Sequence, residues 1–323
     1  MKKILPLFIA LYICCNGYSQ KLIETYFPQK DSLRVGNAKD DFFPYDEKGF
    51  SLFLPASAIR GVLISLEDSK INLADSSSGA VLHKEATENG FAYLHISTGI
   101  PVDLFFTEKS LKFTDSLLAK VFNQNSLPDK NIFLLGVMTS GHRALKYIEY
   151  AKKKNSKFYP FIKGVVLCES ALDWVRQWYE GQKQVRDHLT EAGFFEGNMV
   201  TYLFKQNLKC TPISCMEKYV AFSPYSYFDT KMRRIQSYKH LAVRAYTFAD
   251  TEYWFSAQGK GVYDSNYPDM SGIINELKLA GNKIAELKVF QKENTSGQHI
   301  KQSSTWKIVD KKELMEWILK NSN

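Results

Sequence analysis

Short apolar runs alternate with amphipathic stretches along most of this chain. Nearly continuous apolar runs predict strands over residues 50–54, 62–66, 92–96, 132–137, 164–169, 242–248 and 286–291. Runs without a polar face suit strands covered on both sides of a sheet. Apolar residues at helical spacing predict helices over 111–123, 143–153, 270–279 and 311–319. Strands alternating with helices predict an α/β fold around a mostly parallel sheet. The alternation breaks between Cys168 and Tyr238. That stretch is rich in aromatic residues, among them Trp174, Trp178, Tyr179, Phe194, Phe195, Tyr202, Phe204, Tyr219 and Phe222. Its helical patterning, with turns near Gly193, Gly197 and Pro212, predicts an inserted helical lid over about 171–238. Aromatic side chains bury large apolar areas wherever they sit. The lid therefore either lines a ligand cleft or completes the core.

The run Gly136-Val137-Met138-Thr139-Ser140-Gly141 joins the strand 132–137 to the helix 143–153. Strand, small-residue turn and helix form the setting of a nucleophile elbow, G-x-S-x-G. Methionine stands where that motif places serine. A thioether has no proton to lose and cannot attack a carbonyl. Ser140, two positions on, is a nucleophile candidate only if the strand ends later; otherwise it fits a helix N-cap. Thr139 is an outside candidate.

Composition narrows the function classes. At 45% hydrophobic and 24% charged residues, the 323-residue chain has the balance of a globular protein with a sizeable core. Residues 1–19 pattern as a secretory signal: Lys2 and Lys3, an apolar stretch from Ile4 to Cys15, then a polar exit, with cleavage expected before Gln20. The apolar stretch falls short of the ~20 residues that span a bilayer, so the mature chain is expected to lack an integral membrane segment. Cys14 and Cys15 leave a lipoprotein open, although Leu11-Tyr12-Ile13 is bulky for a lipobox. Loss of residues 1–19 removes two lysines and no acid, taking the net charge from +8 to +6. The basic residues are scattered, and Lys152-Lys153-Lys154 closes a helix whose dipole favours cations there. Nucleic-acid binding is therefore not expected. Cys168 lies in an apolar strand and is expected as a buried free thiol, whereas Cys210 and Cys215 are near enough to pair. With no CxxC, no close histidine pair and no glycine-rich phosphate loop, neither a metal nor a cofactor is expected.

Three segments carry a family likeness: the elbow 136–141; Ser223-Pro224-Tyr225-Ser226-Tyr227 leading to the strand Ala242-Val243-Arg244-Ala245-Tyr246; and Ser304-Thr305-Trp306-Lys307-Ile308-Val309-Asp310 before the last helix. On these the chain resembles the α/β-hydrolase superfamily over about 45–320, in particular its secreted bacterial esterase- and peptidase-like members. Such enzymes need a serine, a histidine to take its proton, a carboxylate to orient the histidine, and backbone N–H donors for the oxyanion. The resemblance places the acid after strand 242–248, where Asp250 is preferred over Glu252; a turn aspartate bonding its own backbone is the plainer alternative. It places the histidine ahead of Trp306, nearest Gln302, with His299 the loop histidine available. After strand 62–66, Glu67-Asp68-Ser69 stands where a glycine run is common, and two carboxylates would repel an oxyanion.

Nucleophile, base and oxyanion site thus all depart from the family pattern. The preferred expectation is a secreted hydrolase-fold protein without serine-hydrolase activity that binds a small-molecule, ester or peptide ligand, or a partner, in a lid-covered cleft. The alternative is an active esterase or peptidase using Ser140, Asp250 and His299.

Overall fold

The computed structural model describes residues 21–29, 44–291 and 305–322. The expected signal segment, Cys14, Cys15 and His299 lie outside them. Eight strands form one sheet: β1 (Lys21–Pro28), β2 (Glu47–Leu54), β3 (Gly61–Glu67), β4 (Phe91–Ser97), β5 (Ile132–Val137), β6 (Ile162–Cys168), β7 (Ala242–Phe248) and β8 (Glu286–Phe290). Their spatial order is β1-β2-β4-β3-β5-β6-β7-β8. Strands β1 and β2 pair antiparallel, as do β2 and β4, and every other pairing is parallel. The seven expected strands are present to within a few residues. Strand β1 was not expected. As an edge strand it is exposed or half-buried throughout, so its sequence carries no core-facing stripe.

Successive side chains of a strand point to opposite faces, and the two faces build two cores. Val62, Ile64, Leu134 and Val165 pack with helices α2 (Glu108–Gln124), α3 (Thr139–Lys153) and α8 (Tyr267–Leu279). Leu63, Tyr93, Phe133 and Val166 pack with α1 (His83–Glu88) and α10 (Lys311–Lys320). Short helices α7 (Thr251–Gln258) and α9 (Thr305–Ile308) flank the carboxyl end of β7.

Between β6 and β7 the chain forms α4 (Trp174–Asp187), α5 (Glu191–Leu208) and α6 (Pro212–Phe222). These helices share a third apolar cluster of Trp174, Trp178, Phe204, Tyr219 and Phe222. Arg176 of α4 forms a two-point ion pair with Asp269 of α8, at 2.7 and 2.9 Å, which fixes the insertion to the sheet layer. Cys210 and Cys215 form a disulfide between α5 and α6, and Cys168 is a buried free thiol. Among the described residues, no helix is long and apolar enough to cross a membrane.

Candidate functional site

The elbow turns at Met138. Its backbone sits at φ 56°, ψ −125°, a region that non-glycine residues enter only under constraint from their surroundings. Two glycines supply that constraint. A Cβ on Gly136 would lie 2.2 Å from Gly141 Cα, and one on Gly141 would lie 2.0 Å from Ser170 Oγ. Strand β5 and helix α3 thus approach as closely as backbones allow. The Met138 N–H donates to the Cys168 carbonyl at 2.8 Å, and the side chain stands 48% exposed at the tip.

Ser140 points the other way. It is wholly buried; its hydroxyl donates to the Val137 carbonyl and accepts the Val137 N–H, both at 2.7 Å. The serine closes the turn from inside. Thr139 is half-buried and lines the cleft beside Met138. Asp250 follows β7 and caps α7, with Oδ1 accepting from Tyr253 N–H at 2.9 Å. His299 lies outside the described residues.

Glu67 and Asp68 do not face an oxyanion position as a pair of free charges. Arg143, on the first turns of α3, reaches back across the loop after β3. Its Nε donates to Leu66 O at 2.7 Å and its Nη1 to Asp103 O at 3.1 Å. Its guanidinium pairs with Glu67 at 2.9 Å and Asp68 at 3.4 Å. Burial works against this cation, but Asp68, Glu67 and Asp103 raise its pKa on balance. The expected pair of free charges is thereby corrected: Arg143 binds both carboxylates and offsets one of their two negative charges, which weakens the repulsion.

His142 is bolted in the same way. Its Nε2–H donates to Leu104 O at 2.9 Å, and its Nδ1 accepts from Trp174 Nε1 at 2.8 Å. Burial first, then Lys146, pushes its pKa well below the ordinary histidine value. It is a neutral structural link between the elbow helix and the lid.

A cleft of about 530 Å³ opens at the carboxyl ends of β5, β6 and β7, beneath α4 and α5. In open α/β sheets that edge is where ligands bind, and the volume suits a small molecule. Met138 and Thr139 form part of its floor; Trp174, Leu203 and Phe204 come from the lid. A smaller recess of about 220 Å³, lined by Glu67, His95 and Val137, lies on the other side of Met138.

Glu169, the last residue of the strand expected over 164–169, sits just beyond β6 at φ 47° and lines the cleft. Its Oε1 accepts from Phe248 N–H and from the Thr305 hydroxyl, the latter at 2.7 Å. Burial raises its pKa to about 6, although those bonds pull it down. A buried carboxyl of shifted pKa in a cleft is a functional-site signal. Its only trace in the sequence was an acid closing an apolar run. Among the described residues, no group of three His, Cys, Asp or Glu residues is placed to hold a metal.

No family model and no curated protein matches the sequence. Solved structures do match in shape. An uncomplexed acylaminoacyl peptidase from Pyrococcus horikoshii superposes with a TM-score of 0.53 at 12% identity, over 94% of this chain and 42% of that one. The chain thus spans about two fifths of that peptidase. Carboxyl esterase 2 from Tuber melanosporum gives 0.52 at 12% identity, over 94% and 84% of the two chains. A Pyrobaculum calidifontis esterase gives 0.51 at 11%, over 94% and 83%. Likeness at such identity establishes fold and leaves chemistry to the site. With this strand order, the turn after β5 and the helical insertion after β6, the protein has the α/β-hydrolase fold.

Proposed function

We propose that this chain is an exported α/β-hydrolase-fold protein that binds a small organic ligand in its lid-covered cleft and has no serine-hydrolase activity. One observation carries the reading: the residue presented at the elbow tip is Met138, while the nearby hydroxyl of Ser140 is buried and spent on Val137. The tip has the strained backbone of an elbow and carries no nucleophile. Beside the tip lies a cleft lined by aromatic residues together with polar and charged ones, a place where a ligand can be both buried and oriented. The Cys210–Cys215 disulfide supports export, because such bonds persist in oxidising compartments.

Labelling with a fluorophosphonate probe tests the reading. Wild type and Ser140→Ala are expected to remain unlabelled. Labelling of wild type that disappears in Ser140→Ala would instead favour the alternative, an active esterase or peptidase built on Ser140, for which Asp250 and His299 are the partners to test. Labelling gained by Met138→Ser would show that the loss of function is confined to the nucleophile.

A further inference from the structure

The cleft has two chemically different walls. The lid side is apolar, with Trp174, Leu203 and Phe204. Across from it, Phe248, Tyr253 and Trp254 pack edge to face, with ring centroids 5.4–6.4 Å apart. Glu169 is fixed beside this aromatic group. The Phe248 N–H donates to its carboxylate, and the Phe248 carbonyl accepts from Trp254 Nε1.

The charges lining the cleft are unbalanced. Four carboxylates (Glu169, Glu180, Glu196 and Asp264) face two ammonium groups, Lys260 and Lys307. Glu180 is paired with Lys260 at 2.8 Å, and Asp264 with Lys183. Among the described residues, Glu169 and Glu196 have no ion-pair partner and neither has Lys307, so with Lys183 counted the cleft carries a net charge of −1. Glu196 is solvent-exposed and lines the cleft, yet desolvation by the surrounding protein raises its pKa. The chain as a whole carries a formal charge of +8, so an acidic cleft is opposite in sign to the protein that holds it.

A cation in this cleft gains twice. Carboxylates attract it at a dielectric below that of water, and aromatic faces attract it through their quadrupoles. An anion meets two unpaired carboxylates against the single unpaired Lys307, and a neutral ligand leaves the excess negative charge without a counter-charge. We infer that the cleft takes an organic ammonium ligand: a protonated amine or quaternary ammonium on an apolar body, its head toward Glu169 and the Phe248–Tyr253–Trp254 group and its body against the lid. This inference rests on the proposed ligand-binding role of the cleft and adds the class of ligand.

Three probes of one shape separate the two. They are para-hydroxyphenyltrimethylammonium, its uncharged isostere para-tert-butylphenol, and para-hydroxybenzenesulfonate. Binding is followed by calorimetry and by the fluorescence of Trp174 and Trp254. The ammonium is expected to bind about tenfold more tightly than the isostere, with the sulfonate weakest. Glu196→Gln, and separately Glu169→Gln, should shrink the ratio of ammonium to para-tert-butylphenol affinity. Glu196 is solvent-accessible, so its variant is expected to fold. Equal binding of the isostere and the ammonium would overturn the ammonium assignment and leave the cleft reading standing. Binding of none of the three would overturn the cleft reading itself, and the inference with it.

Discussion

The hydroxyl of Ser140 and the backbone of Val137 exchange two hydrogen bonds of 2.7 Å inside the elbow, out of reach of solvent. A serine held this way stabilises the turn. Ser140→Ala deprives buried backbone groups of partners and is expected to lower stability by about 1–3 kcal/mol. Urea denaturation measures the loss, and ligand affinity in the cleft should be unchanged. An unaltered midpoint together with a lost activity would refute a structural role for this serine.

Met138 holds a backbone conformation that costs a non-glycine residue about 1–3 kcal/mol. Glycine adopts it freely but loses more entropy on folding. Met138→Gly should therefore stabilise the protein modestly, by about 1 kcal/mol. Met138→Ile, with its branched Cβ, should destabilise it. The two denaturation curves should move in opposite directions; a shared direction would mean that the side chain, and not the backbone, sets the energy of the tip.

His142 accepts from Trp174 and donates to Leu104, so its ring is complete as a neutral group. Burial lowers its pKa well below the ordinary 6.5. The unfolded chain takes up a proton below that value and the folded chain does not, so stability falls as pH drops through 6.5. The limiting slope for one such group is about 1.4 kcal/mol per pH unit. His142→Phe should lower stability at pH 8 by removing both bonds, and should flatten the pH dependence between pH 7 and 5. An unchanged slope in that variant would place the proton uptake elsewhere.

Glu169 shifts the opposite way. Its pKa rises from 4.5 to about 6 on folding, so the folded state binds more protons between those values. The resulting stability is full below pH 4.5 and lost as pH climbs through 6. Keeping the carboxylate ionised in the fold costs about 2 kcal/mol near neutral pH. Glu169→Gln should therefore raise the melting temperature at pH 7.5 and change it little at pH 4.5. A variant that melts lower at both values would show that the bonds to Phe248 and Thr305 outweigh the charge penalty.

Fluorophosphonate labelling of Met138→Ser addresses function directly. Asp250 follows β7 as the hydrolase pattern asks, yet its carboxylate is bound to the Tyr253 N–H as a helix cap. A serine placed at the tip is expected to label only weakly. Rapid, stoichiometric labelling would mean that a proton acceptor stands ready beside Met138.

Local patterning along the chain was enough to set out the layers of this fold. Central strands such as β5 and β6 must be apolar on both faces, and helices such as α3 need an apolar stripe, so local periodicity reveals both. It also revealed the elbow, because an apolar strand, a small-residue turn and an amphipathic helix follow one another there and Met138 is visible as the wrong chemical type. Strand β1 was hidden, since an exposed edge imposes no pattern. Tertiary structure alone decided what the polar residues do. Arg143 reaches Glu67 and Asp68 across more than seventy residues. His142 meets Trp174 of the lid, and Glu169 turns into the cleft between Phe248 and Thr305. Such partners are set by three-dimensional proximity. A charge or hydroxyl in sequence has no assigned function until the fold determines whether it faces backbone, counter-ion or cleft.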